Sequence, residues 1–241
     1  MKLMKIILTV FLLVTAICSA QSLKFENSEF EKIVLAKYPE IDSNKNNRIE
    51  QNEAESLEKL SLMETNLTNA NDVRYFRNLT YLSLTINNIE EFIIKDFFKL
   101  EKLYIARNKL NKLEINNLPL LNEFACGLNQ LTTVKIKNCP NILSLNMMDN
   151  QIKKIDLSPF KELKYLTIDS NKLESLDLSN NLELIQITID DNNIKTLDIT
   201  KNKNLKMNIL YIDDDVKIIG TPEQLSGYKS AAKVGPPPLS K

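Results

Sequence analysis

The sequence predicts a repeat solenoid, mostly β with little helix, in which short parallel strands line one side and helical caps close both ends. Three observations carry that expectation. A frame of apolar residues with one asparagine recurs six times at a spacing of 21, without an insertion, between Leu79 and Ile194. Inside each copy two apolar residues stand two apart, the alternation of a strand with one face turned inward. The flanks break the frame and carry helix signals instead: an apolar stripe before Pro39 and a capping box at Thr221.

Taken in chain order, residues 1–20 read as an export segment. Lys2 and Lys5 precede the apolar stretch Ile6 to Ala16, too short to span a bilayer, and Cys18-Ser19-Ala20 places small residues before a cut at Gln21. A lipid anchor on Cys18 is the rival reading, disfavoured because Ile17 precedes that cysteine. Cleavage removes two lysines and no acid, so 31 minus 31 becomes 29 minus 31, or −2. The expected location is secreted, periplasmic or cell-surface. No second apolar run of about 20 residues follows, so no transmembrane segment is expected.

Residues 21–58 form the expected N-terminal cap. Phe30, Ile33, Val34 and Tyr38 share one face of a helix over 26–38. Next comes Asp42-Ser-Asn44-Lys-Asn46-Asn47-Arg48-Ile49-Glu50-Gln-Asn52-Glu53. These twelve residues resemble an EF-hand calcium loop, with Asp, Asn and Asn at the first, third and fifth positions and Glu at the twelfth. The resemblance implies ligation by the Asp42, Asn44 and Asn46 side chains, the Arg48 carbonyl, Glu50 directly or through water, and a bidentate Glu53. Asn47 replaces the usual glycine, a tolerable exchange because asparagine enters the left-handed region more readily than most residues. With three carboxylates and one hand, a weakly held structural Ca2+ that stiffens the cap is expected. The alternative is a polar turn between two helices.

The solenoid is expected over 59–216. The frame opens at Leu79, Leu82, Leu84, Asn87 and Ile89, and returns at Leu100, Leu103, Ile105, Asn108 and Leu110. It continues through Asn129, Asn150, Asn171 and Asn192, with a degenerate copy before (Leu60, Leu62, Thr65, Leu67) and another after (Leu205, Asn208, Leu210, Asp213). These residues resemble the leucine-rich repeat family, whose LxxLxLxxNxL frame they match over roughly 60–216. They are most similar to a 21-residue bacterial subclass whose second half also reads L-x-L, as in Leu113 and Ile115 or Leu197 and Ile199. The resemblance implies a curved right-handed coil of about eight turns, α/β-type, with its parallel sheet on the concave face. Physically, both residues of each L-x-L enter the coil while the residue between faces water. One coil cannot bury enough to stand alone, so neighbours must stack. The asparagines should form an internal ladder, pairing backbone groups left over where the chain turns off the strand.

The C-terminal region 217–241 is expected to hold a capping helix from Thr221-Pro222-Glu223-Gln224 to about Ala232, followed by an extended tail at Pro236-Pro237-Pro238. Asp213-Asp214-Asp215 reads as a solvated turn. Cys126 falls on an inward repeat position and Cys139 elsewhere on the coil, so two buried free thiols are expected instead of a disulfide.

Composition narrows the function. With no His, neither imidazole catalysis nor His-liganded zinc is available. Four scattered glycines build no phosphate loop, and balanced charge leaves no footprint for nucleic acid. The outward strand residues are the expected ligand surface: Tyr81, Tyr104, Arg107, Met148, Asp149, Tyr165, Asp169, Asp190 and Asp191. The expected function is a non-enzymatic, monomeric protein-interaction module. Its partner is a protein or peptide, basic in view of the acids, or a surface glycan. The alternatives are a structural envelope component without a specific ligand, and a glycoside hydrolase using Asp169 and Asp190.

Overall fold

The computed structural model describes residues 23–205 and 210–226. The export segment, Cys18, Asn208 and the Pro-rich tail lie outside them.

The solenoid is built as the repeat requires. Eight short strands make one parallel sheet in the order β1 (Lys59–Ser61), β2 (Tyr81–Ser83), β4 (Lys102–Tyr104), β6 (Glu123–Ala125), β8 (Ser144–Asn146), β9 (Tyr165–Thr167), β10 (Gln186–Thr188) and β12 (Leu210–Tyr211). Successive middle residues pair in register, Leu82 on Leu103, Phe124 on Leu145 and Leu166 on Ile187. All of these are buried, so each strand adds one apolar plug to a continuous core. The opposite side is less regular. β3 (Glu91–Lys95), β5 (Lys112–Asn116) and β7 (Lys135–Lys137) form a second parallel sheet, and β11 (Thr196–Asp198) pairs with β13 (Lys217–Ile219). Between these two small sheets the L-x-L halves at 155–157 and 176–178 run without regular secondary structure or strand pairing.

Each coil turns off its strand in the same way. The residue before every ladder asparagine is left-handed, with φ between 50° and 58° at Ile86, Arg107, Leu128, Asp149, Ser170 and Asp191. That backbone is costly for a side chain such as Ile86, and the bonds of the neighbouring asparagine hold it in place. Asn108 donates from Nδ2 to the carbonyls of Leu84 (2.9 Å) and Ile105 (3.2 Å), and its Oδ1 accepts from the Ile89 N–H (3.0 Å). Asn129, Asn150, Asn171 and Asn192 repeat this pattern one coil on each time. In the first coil Thr65 takes half of the role, its Oγ1 bonding the Leu62 carbonyl at 2.8 Å.

A second ladder runs on the far side. The buried column Phe76, Phe97, Leu118, Cys139, Phe160 continues at the same spacing as Asn181 and Asn202. Asn181 donates to the carbonyls of Leu157 (2.9 Å) and Phe160 (2.8 Å), and Asn202 to those of Leu178 (3.1 Å) and Asn181 (2.8 Å). Gln224 then extends the column, reaching Ile199 (2.7 Å) and Asn202 (3.0 Å). Cys139 is thus a core member. Cys126 and Cys139 are both buried free thiols, as their repeat positions predict.

The last coil departs from the expected frame. β12 pairs Leu210 with Ile187, so the last coil carries two extra residues, and Leu210-Tyr211-Ile212 is its L-x-L. Asp213 therefore does not occupy the ladder position. The capping box of Thr221 and Gln224 is present and opens helix α3 (Pro222–Leu225), with Ser226 as its C-cap; the stretch expected to reach Ala232 lies outside the described residues. Finally, β13 carries the coil pattern three residues past 216.

The N-terminal cap is locked onto the first coil. Helix α1 (Ser28–Lys37) starts at Asn27, whose side chain accepts from the Glu29 N–H, and turns Phe30 and Val34 inward. Phe30 lies 6.0 Å from Phe76 of the solenoid. Buried Asp72 accepts from the Glu26 and Asn27 N–H groups at 3.0 and 2.8 Å. At the edge strand, the Tyr38 hydroxyl accepts from the Ser61 N–H at 2.7 Å, pairing a group that would otherwise be open to another strand. Helix α2 (Gln51–Ser56) completes the cap.

Candidate binding face and cation loop

The outward residues of the eight-stranded sheet form columns, because in-register parallel strands stack equivalent positions about 4.8 Å apart. The first column reads Lys59, Tyr81, Lys102, Glu123, Ser144, Tyr165 and Gln186. The face is polarised from end to end. Near the N-terminal cap the Tyr81 and Tyr104 rings lie 5.5 Å apart, and Lys102 binds Glu123 at 2.9 Å. Burial pushes the Tyr104 phenol upward, and its hydrogen bond to Glu123 adds to the shift, so Tyr104 stays protonated. Toward the other end the acids collect. Burial raises Asp169 to about 6, and Asp190, Asp149 and Asp191 reinforce the shift. Asp190 is raised too, first by burial and then by Asp213 and Asp191. Asp169 Oδ1 is buried without a hydrogen-bond partner among the described residues.

The nine predicted ligand residues divide between two kinds of position. Tyr81, Tyr104 and Tyr165 rise from the strands, and Met148, Asp169 and Asp190 lie two residues past them, with Tyr165 the most exposed of the tyrosines there at 45%. Met148 lies across Gly127, where an added Cβ would meet Met148 Cγ at 2.9 Å, so a glycine on one coil makes room for the methionine of the next. Arg107, Asp149 and Asp191 sit instead on the left-handed turn residues at the rim. Sequence reading missed Tyr38, Lys59 and Thr80, which line a cleft with Tyr81 and Tyr104. Lys59 belongs to the same column as Tyr81 and was reachable from the period. Tyr38 comes from the cap, and nothing in the repeat points to it.

The loop at 42–53 folds tightly on itself. Asp42 accepts from the N–H groups of Asn46 and Asn47, Asn44 from that of Asn46, and Asn46 from that of Arg48. Asn47 takes the left-handed conformation, φ 59°, that its place in the loop demands. The amides of Asn44 and Asn46 converge on the two oxygens of buried Glu50 at 3.0 and 2.7 Å. It is thus the amide nitrogens of Asn44 and Asn46 that meet Glu50, while the side-chain oxygens of Asp42, Asn44 and Asn46 are taken up by backbone N–H groups. Among the described residues no group of three or more His, Cys, Asp or Glu is placed to hold a metal ion. Glu53 is placed differently. Its Oε1 accepts from the Ser43 N–H and Oγ, and its Oε2 from the Glu50 N–H, in a reciprocal cap of α2. Burial pushes the Glu53 carboxyl up, but the bonds from Glu50 and Ser43 outweigh it and hold the group below its ordinary value. Ligation by Glu53 requires those bonds to be exchanged for metal contacts. The Arg48 guanidinium turns away to Glu31 at 3.1 Å.

Stacked 21-residue coils, a parallel sheet on one side and an asparagine ladder at the turn define a solenoid of the leucine-rich repeat type. Solved structures agree on the fold. The chain superposes on an internalin (inlF) from Listeria monocytogenes with a TM-score of 0.65 at 21% identity, over 84% of this chain and 66% of that one, so it spans somewhat less than two thirds of that protein. It is similar to internalin C2 of the same organism (TM-score 0.54, 22% identity, 80% and 100% coverage) and to a Shigella effector leucine-rich repeat domain (0.56, 20%, 84% and 83%). No family profile matches the chain, and no curated sequence does. Among the described residues, no helix is long and apolar enough to cross a membrane.

Proposed function

We propose that this chain is an exported interaction module that docks a protein or peptide with a basic surface on its eight-stranded face, acting by binding without chemistry. The observation that carries this reading is the concentration of Asp149, Asp169, Asp190 and Asp191 at one end of the face, where burial and mutual repulsion raise Asp169 and Asp190. A cation brought against these acids relieves that repulsion, and the field steers its approach. The similarity to internalins and to the effector domain supports the architecture of such a module. The 42–53 loop is proposed to hold a structural calcium through Asp42, Asn44, Asn46, Glu50 and the Arg48 carbonyl, with Glu53 recruited from its cap, stiffening the piece that covers β1. The testing experiment is a pull-down from surface extracts with wild type, Asp169→Lys with Asp190→Lys, and a far-side control, Lys161→Glu. A partner retained by wild type and the control but lost by the double variant supports the assignment. Equal retention by all three overturns it.

A further inference from the structure

Between the N-terminal cap and the first coils lies a cleft of about 430 Å3, within the range of small-molecule sites. Its shape follows from the register. Lys59, Tyr81 and Lys102 stand side by side at the first positions of β1, β2 and β4, while Ser61, Ser83 and Tyr104 share the third. The two serines are too small to fill the space beside Tyr104, and Tyr38 lines the cleft from the cap. The aromatic groups are fixed before any ligand arrives. Tyr38 is tied to the Ser61 N–H, and Tyr81 packs on Tyr104. Little side-chain freedom remains to be lost on binding.

Charge identifies the occupant. Lys59 and Lys102 face Glu101 and Glu123, two cations against two anions, and Lys102 is already bound to Glu123. Among the described residues Lys59 and Glu101 have no ion-pair partner, which leaves one strong donor and one strong acceptor at the lip. An anion would gain Lys59 but meet Glu101, and a cation the reverse. An uncharged polyhydroxy ring uses both, accepting from the ammonium and donating to the carboxylate in charge-assisted bonds while its C–H face lies on a tyrosine. We propose that this cleft binds a neutral sugar unit of a glycan. The site is separate from the acidic end of the face, so failure of the docking reading would leave it untouched.

The test is saturation-transfer NMR followed by calorimetry with chitotriose, maltotriose and a neutral galactotriose, with trigalacturonate as the charged counter-probe. Saturable binding of a neutral trisaccharide is expected, weakened about tenfold or more by Tyr104→Ala and by Glu101→Ala. Tyr165→Ala and Asp169→Lys should leave it unchanged. If Tyr104→Ala does not fold, Glu101→Ala and Lys59→Ala decide, because both side chains are exposed and bear no core contact. Lack of a saturable signal from all three neutral probes at millimolar concentration, preference for trigalacturonate, or binding that survives the variants would each overturn the proposal.

Discussion

At the scale of single residues, the asparagines show how one polar side chain can make a coil closed. Asn150 is buried, and its amide holds the Cys126 and Met147 carbonyls at 3.2 and 3.1 Å while accepting from the Leu131 N–H. Asn150→Ala leaves the buried Leu131 N–H unpaired and takes one of two donors from each of the Cys126 and Met147 carbonyls, which keep Asn129 and Asn171, and should cost about 1–3 kcal/mol, seen as a lower denaturant midpoint. An unchanged midpoint would show that the ladder does not hold the coil. This ladder was legible in the sequence because the period never slips. The second one was not: its column changes from Phe160 to Asn181 in mid-chain, and asparagine is too common in turns to mark a buried site by itself. Asp169 allows a different test. Its carboxyl is raised from 3.8 to about 6, so the folded protein binds more protons than the unfolded chain across that window. By linkage, this group's contribution falls as pH rises from about 4 to about 6. Asp169→Asn should therefore raise the thermal midpoint at pH 7, have little effect at pH 4, and flatten the profile between. A midpoint that moves equally at both pH values would show that charge is not the cause.

At the scale of elements, the calcium proposal for the 42–53 loop asks one side chain to serve two roles. Glu53 caps α2 by accepting from the Glu50 N–H, yet it is also the carboxylate that the loop pattern assigns to calcium. Calcium should raise the thermal midpoint of the wild type, and Asp42→Ala with Glu53→Gln should abolish that increment, since a hard cation loses two charged ligands. Glu53→Gln alone should lower the midpoint without calcium, because an amide cannot keep both the Ser43 and Glu50 donors paired by carboxylate oxygens. Calorimetry without heat at millimolar calcium would leave the loop as a turn and nothing more. The loop was legible in the sequence because its residue pattern is local. It could not display Asp72, which fastens Glu26 and Asn27 from more than 40 residues away. The displaced register at β12 was hidden for a related reason: two residues inserted after Leu205 leave another leucine, Leu210, where the old frame expects one.

At the scale of the whole molecule, the strand face is a gradient, aromatic and charge-balanced near the cap and acidic toward the far end. Partner binding at the acidic end predicts different consequences for different substitutions. Tyr165 is exposed and makes no ring contact with another aromatic residue among those described, so Tyr165→Ala should leave stability unchanged. As an anchor its loss should weaken docking by about 1–3 kcal/mol, mainly through faster dissociation. Asp169→Lys with Asp190→Lys should act earlier, slowing association and reducing its salt dependence, because steering is a long-range effect that ions screen. Lower pH gives the same direction without mutation: protonation of Asp169 near pH 6 removes charge from the face, so wild-type association should slow between pH 7 and pH 5. Lys161 lies on the opposite side, where its ammonium holds Asn180 Oδ1 at 2.7 Å, and Lys161→Glu should leave binding as it was. Surface plasmon resonance at two salt concentrations and two pH values separates these effects. If Lys161→Glu abolishes binding while the face variants keep wild-type rates, the partner docks on the far-side loops.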